Sequence, residues 1–312
     1  MIPIIDITPL VSMGAKQEGV VNEIRNACET VGFFYVIGHG ISLDIQTNIF
    51  STARDFFALP EHVKHGVGVA KSRCFRGYVP FALTGPNVPK RMLEAFQMML
   101  DFGPDDPDVA VGNIMYGSNQ WPADAPRMRA ILEAYYKEME TLSNYLLSAF
   151  ARALDEDPEF FNTYYQKPMT QLRLLHYPYV ESDNLEDQQG VEAHTDTGAF
   201  TILMQDDISG LEIRARDGNW LAATPIEDAF VINVGDMMQW WTAYRFISTP
   251  HRVTNRSGRS RYSVPFFVNP DRSAVINQLG VDPDDSGAKF EVGAHVEEAY
   301  VDAWPRDPTG VG

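Results

Sequence analysis

The sequence predicts a mainly β protein with flanking α-helices, its strands closed as a barrel or jelly roll. Three observations carry that expectation. Apolar residues recur at helical spacing through much of residues 1–165. After Pro168 the apolar period changes from about 3.6 to about 2, the strand repeat. The later strands are short, and turn signals at Asp207–Gly210, Asp217-Gly218-Asn219 and Gly235-Asp236 separate them. That spacing disfavours a parallel α/β sheet.

The elements follow in order. Ile2 to Ile5 predict a short strand. Val20, Val21, Ile24, Ala27, Cys28 and Val31 share one helical face, and Gly32 ends that helix. Phe33–Ile37 is a β-prone apolar run, and Gly38-His39-Gly40 turns out of it. A second helix follows Ser42, with Ile45, Ile49, Ala53 and Phe56 on one side and Leu59-Pro60 as its stop. Residues 66–122 are rich in Gly, Pro and Asp and predict loops and short elements. Ala125–Leu154 predict a long scaffold helix. Six strands are expected beyond it: Gln171–Tyr177, Phe200–Gln205, Leu211–Ala215, Phe230–Val234, His251–Thr254 and Arg261–Phe267. A short helix is expected near Val296–Val301 in an acidic tail. No internal repeat or low-complexity linker divides the chain. One domain is expected, with 1–165 mainly helical, 166–280 the core bearing the site, and 281–312 a tail packed on that core.

Bulk properties narrow the function classes. The chain has 312 residues, of which 45% are hydrophobic and 21% charged, so a sizeable core is available. A net charge of −17 opposes nucleic acid and anionic membrane surfaces as partners. It leaves a small molecule, including an anionic one met by a local arginine. Two cysteines, Cys28 and Cys74, cannot build a disulfide framework or a cysteine-rich zinc site. No secretory segment or long apolar run is present, so a cytoplasmic monomer or small homo-oligomer is expected.

Two constellations carry chemistry. His194 and Asp196 lie two residues apart and share a face in an extended segment; His251 must come from another strand, expected on an opposed sheet. Two imidazoles and a carboxylate on one face of a metal leave positions open, the ligand set of mononuclear non-haem Fe(II) sites. A surface carboxylate beside a half-buried imidazole would give the same spacing. Arg261 and Ser263 share one strand face, which suits a carboxylate clamp. The alternative is a solvated basic run of Arg256, Arg259 and Arg261.

The flanking motifs resemble a known family. His194-Thr-Asp-Thr-Gly-Ala-Phe-Thr-Ile-Leu-Met-Gln-Asp, closed by Gly210-Leu211-Glu212-Ile213, looks like the first metal motif of the isopenicillin N synthase-like family of Fe(II)/2-oxoglutarate-dependent oxygenases. Gly235-Asp236, His251-Arg252-Val253 and Arg261-Tyr262-Ser263 resemble its second half. Ile2–Asp6, Gly32–Gly40, Arg76-Gly77-Tyr78, Asn119–Pro122 and Leu172–Pro178 are similar to its other regions, in the same order and over nearly the whole chain.

The resemblance implies a distorted double-stranded β-helix with helices packed outside it. It implies that His194, Asp196 and His251 ligate Fe(II). Arg261 and Ser263 would take the distal carboxylate of 2-oxoglutarate, with Tyr177 beside it. Phe267 would face the substrate. O2 is the co-reactant, succinate and CO2 are products, and ascorbate is a candidate reductant. Hydroxylation or desaturation of a small organic substrate is the leading expectation. The alternatives are a family oxidase without 2-oxoglutarate (ring closure included), ethylene-forming fragmentation of 2-oxoglutarate, a zinc hydrolase and a non-catalytic binding protein. Many plant members carry Asn where this chain has Leu175, so His176 either supplies the missing polar contact or is an ordinary strand residue.

Other residues are weighed beside these. Tyr78 and Arg76 either line the pocket entrance or hold core or surface positions. His39 is expected to be structural, and His62, His65 and His295 solvated. Met92, Met98 and Met99 are expected to pack rather than bind metal. Trp240 and Trp241 are expected on opposite faces of a strand, one in the core and the other near the pocket.

Overall fold

Alternation along three neighbouring strands builds the wall on which the site stands. In the computed structural model the described residues are 1–14, 16–81, 92–179, 189–281 and 289–304. The strands are β1 (Ile4–Asp6), β2 (Phe33–Ile37), β3 (Gly77–Val79), β4 (Glu94–Met99), β5 (Gln171–Tyr177), β6 (Gln189–His194) and β7 (Phe200–Gln205). They continue as β8 (Leu211–Arg214), β9 (Trp220–Ala222), β10 (Phe230–Val234), β11 (His251–Thr254), β12 (Arg261–Val268), β13 (Val275–Asn277) and β14 (Lys289–Glu291). The helices are α1 (Thr8–Val11), α2 (Gln17–Thr30), α3 (Leu43–Phe57), α4 (Glu61–Gly66), α5 (Pro107–Ala110), α6 (Met128–Ala153), α7 (Asp236–Trp241) and α8 (Val292–Ala303).

An eight-stranded sheet runs β1-β2-β10-β7-β12-β5-β4-β3, and a four-stranded sheet runs β6-β11-β8-β9. The two enclose a cavity of about 200 Å³. Odd-numbered residues of β5, β7 and β12 face it: Arg173, Tyr177, Thr201, Leu203, Arg261 and Ser263 are on its lining. Even-numbered neighbours face the helices. Phe150 of α6 meets Phe200 edge-on at 5.2 Å, and Tyr136 meets Phe266 at 5.0 Å. Both faces are therefore covered, which is why these strands read as nearly continuous apolar runs. The result is the expected mainly β architecture, with helices packed outside the sheets.

The helices form where patterning and capping agree. Ser42 caps α3 by accepting the Ile45 amide at 3.3 Å, and Ile49, Ala53 and Phe56 bury its inner face. Gly32 ends α2 at φ +70, and a Cβ there would lie 2.0 Å from the Ile247 carbonyl oxygen. Cys28 and Cys74 are both buried and free.

The short elements expected in residues 66–122 include two strands, β3 and β4; Glu94 and Gln97 break the apolar pattern of β4 although all six of its residues are buried. Three local expectations need correction. Trp240 and Trp241 sit on α7, not on a strand, because the Asp236 amide donates to the Asp196 carbonyl and starts a helical turn. Trp241 packs on Phe161 and Tyr164, and neither tryptophan lines the cavity. His295 is half-buried on α8, within 3.3 Å of the Thr197 carbonyl, instead of solvated. Of the C-terminal tail, residues 282–288 and 305–312 lie outside the described residues, as do residues 82–91. Among the described residues no helix is long and apolar enough to cross a membrane.

Candidate metal centre and cosubstrate pocket

β6 and β11 are hydrogen-bonded neighbours in the smaller sheet, and His194 pairs directly with His251. The two imidazoles thus come from one sheet, not from opposed sheets as expected. Side chains directly opposite in an antiparallel pair are close enough to share one ion. Asp196 follows the end of β6, in a turn held down by α7. One ligand atom from each of His194, Asp196 and His251 lies within 4.8 Å of the others.

The hydrogen bonds select the atoms offered. His194 Nδ1 donates to the Glu192 carbonyl at 2.9 Å, and His251 Nδ1 to the Thr249 carbonyl at 3.2 Å. Each bond fixes the ring and leaves Nε2 with its lone pair, the arrangement found around metal-ligating histidines. Both Nε2 atoms face Asp196 Oδ1, at 3.8 and 3.7 Å. The other carboxylate oxygen, Oδ2, accepts from Thr201 Oγ1 at 2.6 Å and Asn233 Nδ2 at 2.8 Å. One oxygen is anchored and the other is presented. Burial pushes the Asp196 carboxyl up, but the two imidazoles and these hydrogen bonds outweigh it and hold the group below its ordinary range. A donor set of two lone-pair nitrogens and one carboxylate oxygen fits a divalent first-row metal such as Fe(II).

The turn carrying Asp196 is fixed by close backbone packing. The Gly235 amide donates to the Ala199 carbonyl, and Met237 to Gly198. A Cβ on Gly235 would lie 2.2 Å from the Gly198 carbonyl oxygen and 2.9 Å from that of Asp196. Phe33 meets the His251 ring edge-on at 5.3 Å from the apolar side.

Arg261 is fully buried, so it is no solvated basic residue; Arg256 and Arg259 are exposed. Its Nε donates to the Ile208 carbonyl at 3.2 Å, and its two terminal nitrogens to Ser263 Oγ at 3.3 Å and Gln205 Oε1 at 3.0 Å. Its guanidinium carbon lies 5.0 Å from the Tyr177 ring centre, and these two residues are register partners. Arg261, Ser263, Tyr177 and Phe267 all line the same cavity as the three candidate ligands.

Two expected site residues lie elsewhere. His176 is even-numbered on β5 and faces away from the cavity, with Nδ1 2.7 Å from Glu94 Oε1 and its ring stacked on Tyr262 at 4.7 Å. It cannot stand in for the asparagine of the plant members, because Leu175, which holds that position, is the residue that faces the cavity. Tyr78 is 2% exposed and donates to Glu94 Oε2 at 2.7 Å in the same outer network, which also holds Lys64. Arg76 is a core residue bonded to the Met115 carbonyl at 2.8 Å.

Pattern reading missed Thr201, Asn233, Gln205, Gln171 and Arg173. Two of them left a signal. Asn233 is a polar residue inside the apolar run Phe230–Val234, and Arg173 interrupts Leu172–Leu175 at even spacing from Tyr177.

Similarity to known proteins agrees with this geometry. Residues 2–124 match the family described as non-haem dioxygenase in morphine synthesis, N-terminal, and residues 168–270 match the 2OG-Fe(II) oxygenase superfamily. Clavatol oxidase of Penicillium crustosum is 34% identical over 310 residues, covering 93% of this chain and 92% of its own. The 2-oxoglutarate-dependent dioxygenase citB of Monascus ruber is 38% identical over 286 residues, covering 86% and 84%. A full-length Neurospora crassa protein, solved in complex with alpha-KG and thymine, matches with a TM-score of 0.82 at 27% identity over 96% of each chain. The core is accordingly the double-stranded β-helix of this superfamily. The chain belongs to the isopenicillin N synthase-like family of Fe(II)/2-oxoglutarate-dependent oxygenases and is a non-haem iron dioxygenase that uses 2-oxoglutarate and O2.

Proposed function

We propose that this dioxygenase hydroxylates or desaturates a small organic molecule, working as a single domain in the cytoplasm. His194 Nε2, His251 Nε2 and Asp196 Oδ1 hold Fe(II). Arg261 and Ser263 take the distal carboxylate of 2-oxoglutarate, and Tyr177 packs against that arginine. Fe(II) with the keto acid supplies O2 activation, with release of succinate and CO2. The chain's own work is positioning and exclusion. Thr201 and Asn233 fix the presented carboxylate oxygen. Leu203, Val191, Leu211 and Val253 keep the cavity apolar and limit water. Phe267, on the face of β12 that carries Arg261, lies toward the substrate end.

The observation that carries the assignment is the fully buried Arg261 on the same cavity as the two opposed histidines. A buried guanidinium is costly unless paired, and a dicarboxylate supplies the pair. No glutamate is found among the described lining residues, so a zinc hydrolase would lack its general base. The buried unpaired thiols of Cys28 and Cys74 suit a reducing compartment.

Anaerobic titration with Fe(II) and 2-oxoglutarate should produce the visible absorption of a metal–keto acid chelate. Admission of O2 should then yield succinate across part of a substrate panel. Absence of both overturns the assignment; turnover without succinate would favour the family oxidase. Asp196→Ala should lose Fe(II) binding and succinate formation, and retention of either sinks the ligand assignment.

A further inference from the structure

The guanidinium that faces the cosubstrate is held in part by a side chain set back from the cavity. Gln205 ends β7 and is the cross-strand partner of Ser263. It shares a strand face with Thr201 and Leu203, but the cavity lining reaches Arg261 and Ser263 and not Gln205. Its Oε1 accepts from one terminal nitrogen of Arg261 at 3.0 Å, and its Nε2 donates to the Ala223 carbonyl at 3.2 Å. Turning the amide over would set its NH2 against the guanidinium and its oxygen against a carbonyl, so the two partners fix one orientation. Ala223 follows β9 of the smaller sheet. The acceptor offered to Arg261 is thus tied to both sheets.

The rest of the guanidinium is boxed as closely. Asp206 is 7% exposed and accepts the Ile208 amide at 3.0 Å and the Tyr262 amide at 2.6 Å. Those bonds fold the turn whose Ile208 carbonyl takes Arg261 Nε. A Cβ on Gly210 would lie 3.1 Å from Arg261 Cδ, so the stem has no room on that side. Ser263 Oγ takes the other terminal nitrogen. These bonds engage three of the five N–H donors of a guanidinium, one on each nitrogen. Among the described residues that leaves one donor on each terminal nitrogen, the pair that a carboxylate takes up side by side.

We propose that Gln205 is a positioning residue that sets which 2-oxo dicarboxylate the enzyme accepts. A guanidinium released on one side would swing to follow a carboxylate one methylene nearer the metal ligands or one farther away. Held by Gln205, the fork stands at one distance from His194, Asp196 and His251, and a chain of one length fits between them. This rests on the oxygenase assignment above and adds the origin of cosubstrate selectivity to it. The competing role for Gln205 is a staple between the sheets through Ala223 alone, which would affect stability and leave selectivity untouched.

Anaerobic titration of the Fe(II) enzyme with oxaloacetate, 2-oxoglutarate and 2-oxoadipate tests the idea without turnover, each affinity being read from the metal–keto acid absorption. The unmodified enzyme should prefer 2-oxoglutarate by roughly 10-fold or more, the discrimination one methylene allows. Gln205→Leu removes the acceptor. It should weaken 2-oxoglutarate by roughly 10- to 100-fold, the range for a hydrogen bond to a charged group, and narrow the preference while Fe(II) affinity stays. Gln205→Glu keeps an acceptor but sets a carboxylate against Arg261 that competes with the cosubstrate's own. It should weaken all three acids and keep the preference. Equal binding of the three acids by the unmodified enzyme, an undiminished preference in Gln205→Leu, or a lost preference in Gln205→Glu overturns the proposal. So does a Gln205→Leu protein that loses Fe(II) together with the keto acids, the result expected of a staple. Where Gln205→Leu fails to fold, the unmodified enzyme and Gln205→Glu decide the matter. Absence of the chelate with every acid in the unmodified enzyme would instead strike the oxygenase assignment itself.

Discussion

Removing the Thr201 hydroxyl should weaken Fe(II) binding although Thr201 touches no metal. Its Oγ1 donates to Asp196 Oδ2 at 2.6 Å and is one of two bonds that anchor that oxygen. Thr201→Val keeps the branched shape at a 4%-exposed position on β7 and deletes only the donor. A hydrogen bond to a charged group contributes about 1.5–3 kcal/mol. At about 1.4 kcal/mol per decade, that is roughly 10- to 100-fold in affinity. The same range applies to the outer hydrogen bonds of metal ligands generally. Asn233 remains at 2.8 Å, so the lower end is expected for the single change and the upper end for Thr201→Val with Asn233→Leu. Anaerobic competition against a coloured Fe(II) chelator measures it, with thermal unfolding as the check on folding. A folded Thr201→Val protein whose Fe(II) affinity stays within about twofold of the parent would refute the anchoring role.

Two further outcomes follow from the same structure. Glu94→Gln should cost about 3 kcal/mol at neutral pH, because it strips the buried Lys64 of one of two carboxylate partners, leaving Glu61. Burial pushes the Glu94 carboxyl up, but His176, Lys64 and Tyr78 together hold it below the ordinary glutamate value of 4.5. Its stabilisation is therefore complete above pH 4.5 and is lost as pH falls through the lower folded value. Urea unfolding of both proteins from pH 7 to pH 3 should show the parent's advantage narrowing in acid, and a gap independent of pH would contradict this. Gly235→Ala places a methyl 2.2 Å from the Gly198 carbonyl oxygen, where only backbone can move. It should destabilise by about 1–3 kcal/mol and loosen Fe(II), and wild-type values in both assays would show that the turn is not fixed there.

Much of the candidate site is legible in local pattern. His194, Asp196, His251, Arg261 and Ser263 are each recognisable because strand period two fixes which residues share a face, and the structure brings all five to one cavity. The expected strands from Phe33–Ile37 to Arg261–Phe267 appear at or within about a residue of their expected bounds, since β-prone apolar runs between turn residues need no distant information. Residues 66–122 are harder, because β4 buries Glu94 against Lys64 and His176 and so hides its strand character behind polar letters.

The sequence by itself determined the chemistry on offer: the metal-binding residue types, the candidate carboxylate clamp and the β-rich class that presents them. The tertiary structure decided which faces meet. His194 and His251 pair within one sheet, a matter of register that spacing cannot reveal. His176 and Tyr78 turn outward into the Glu94 network, because a shift of one residue along a strand reverses the side chain. Arg173 turns inward by the same rule and lines the cavity. Side-chain direction follows from sequence within a strand, but which side becomes the interior depends on how the two sheets close on each other.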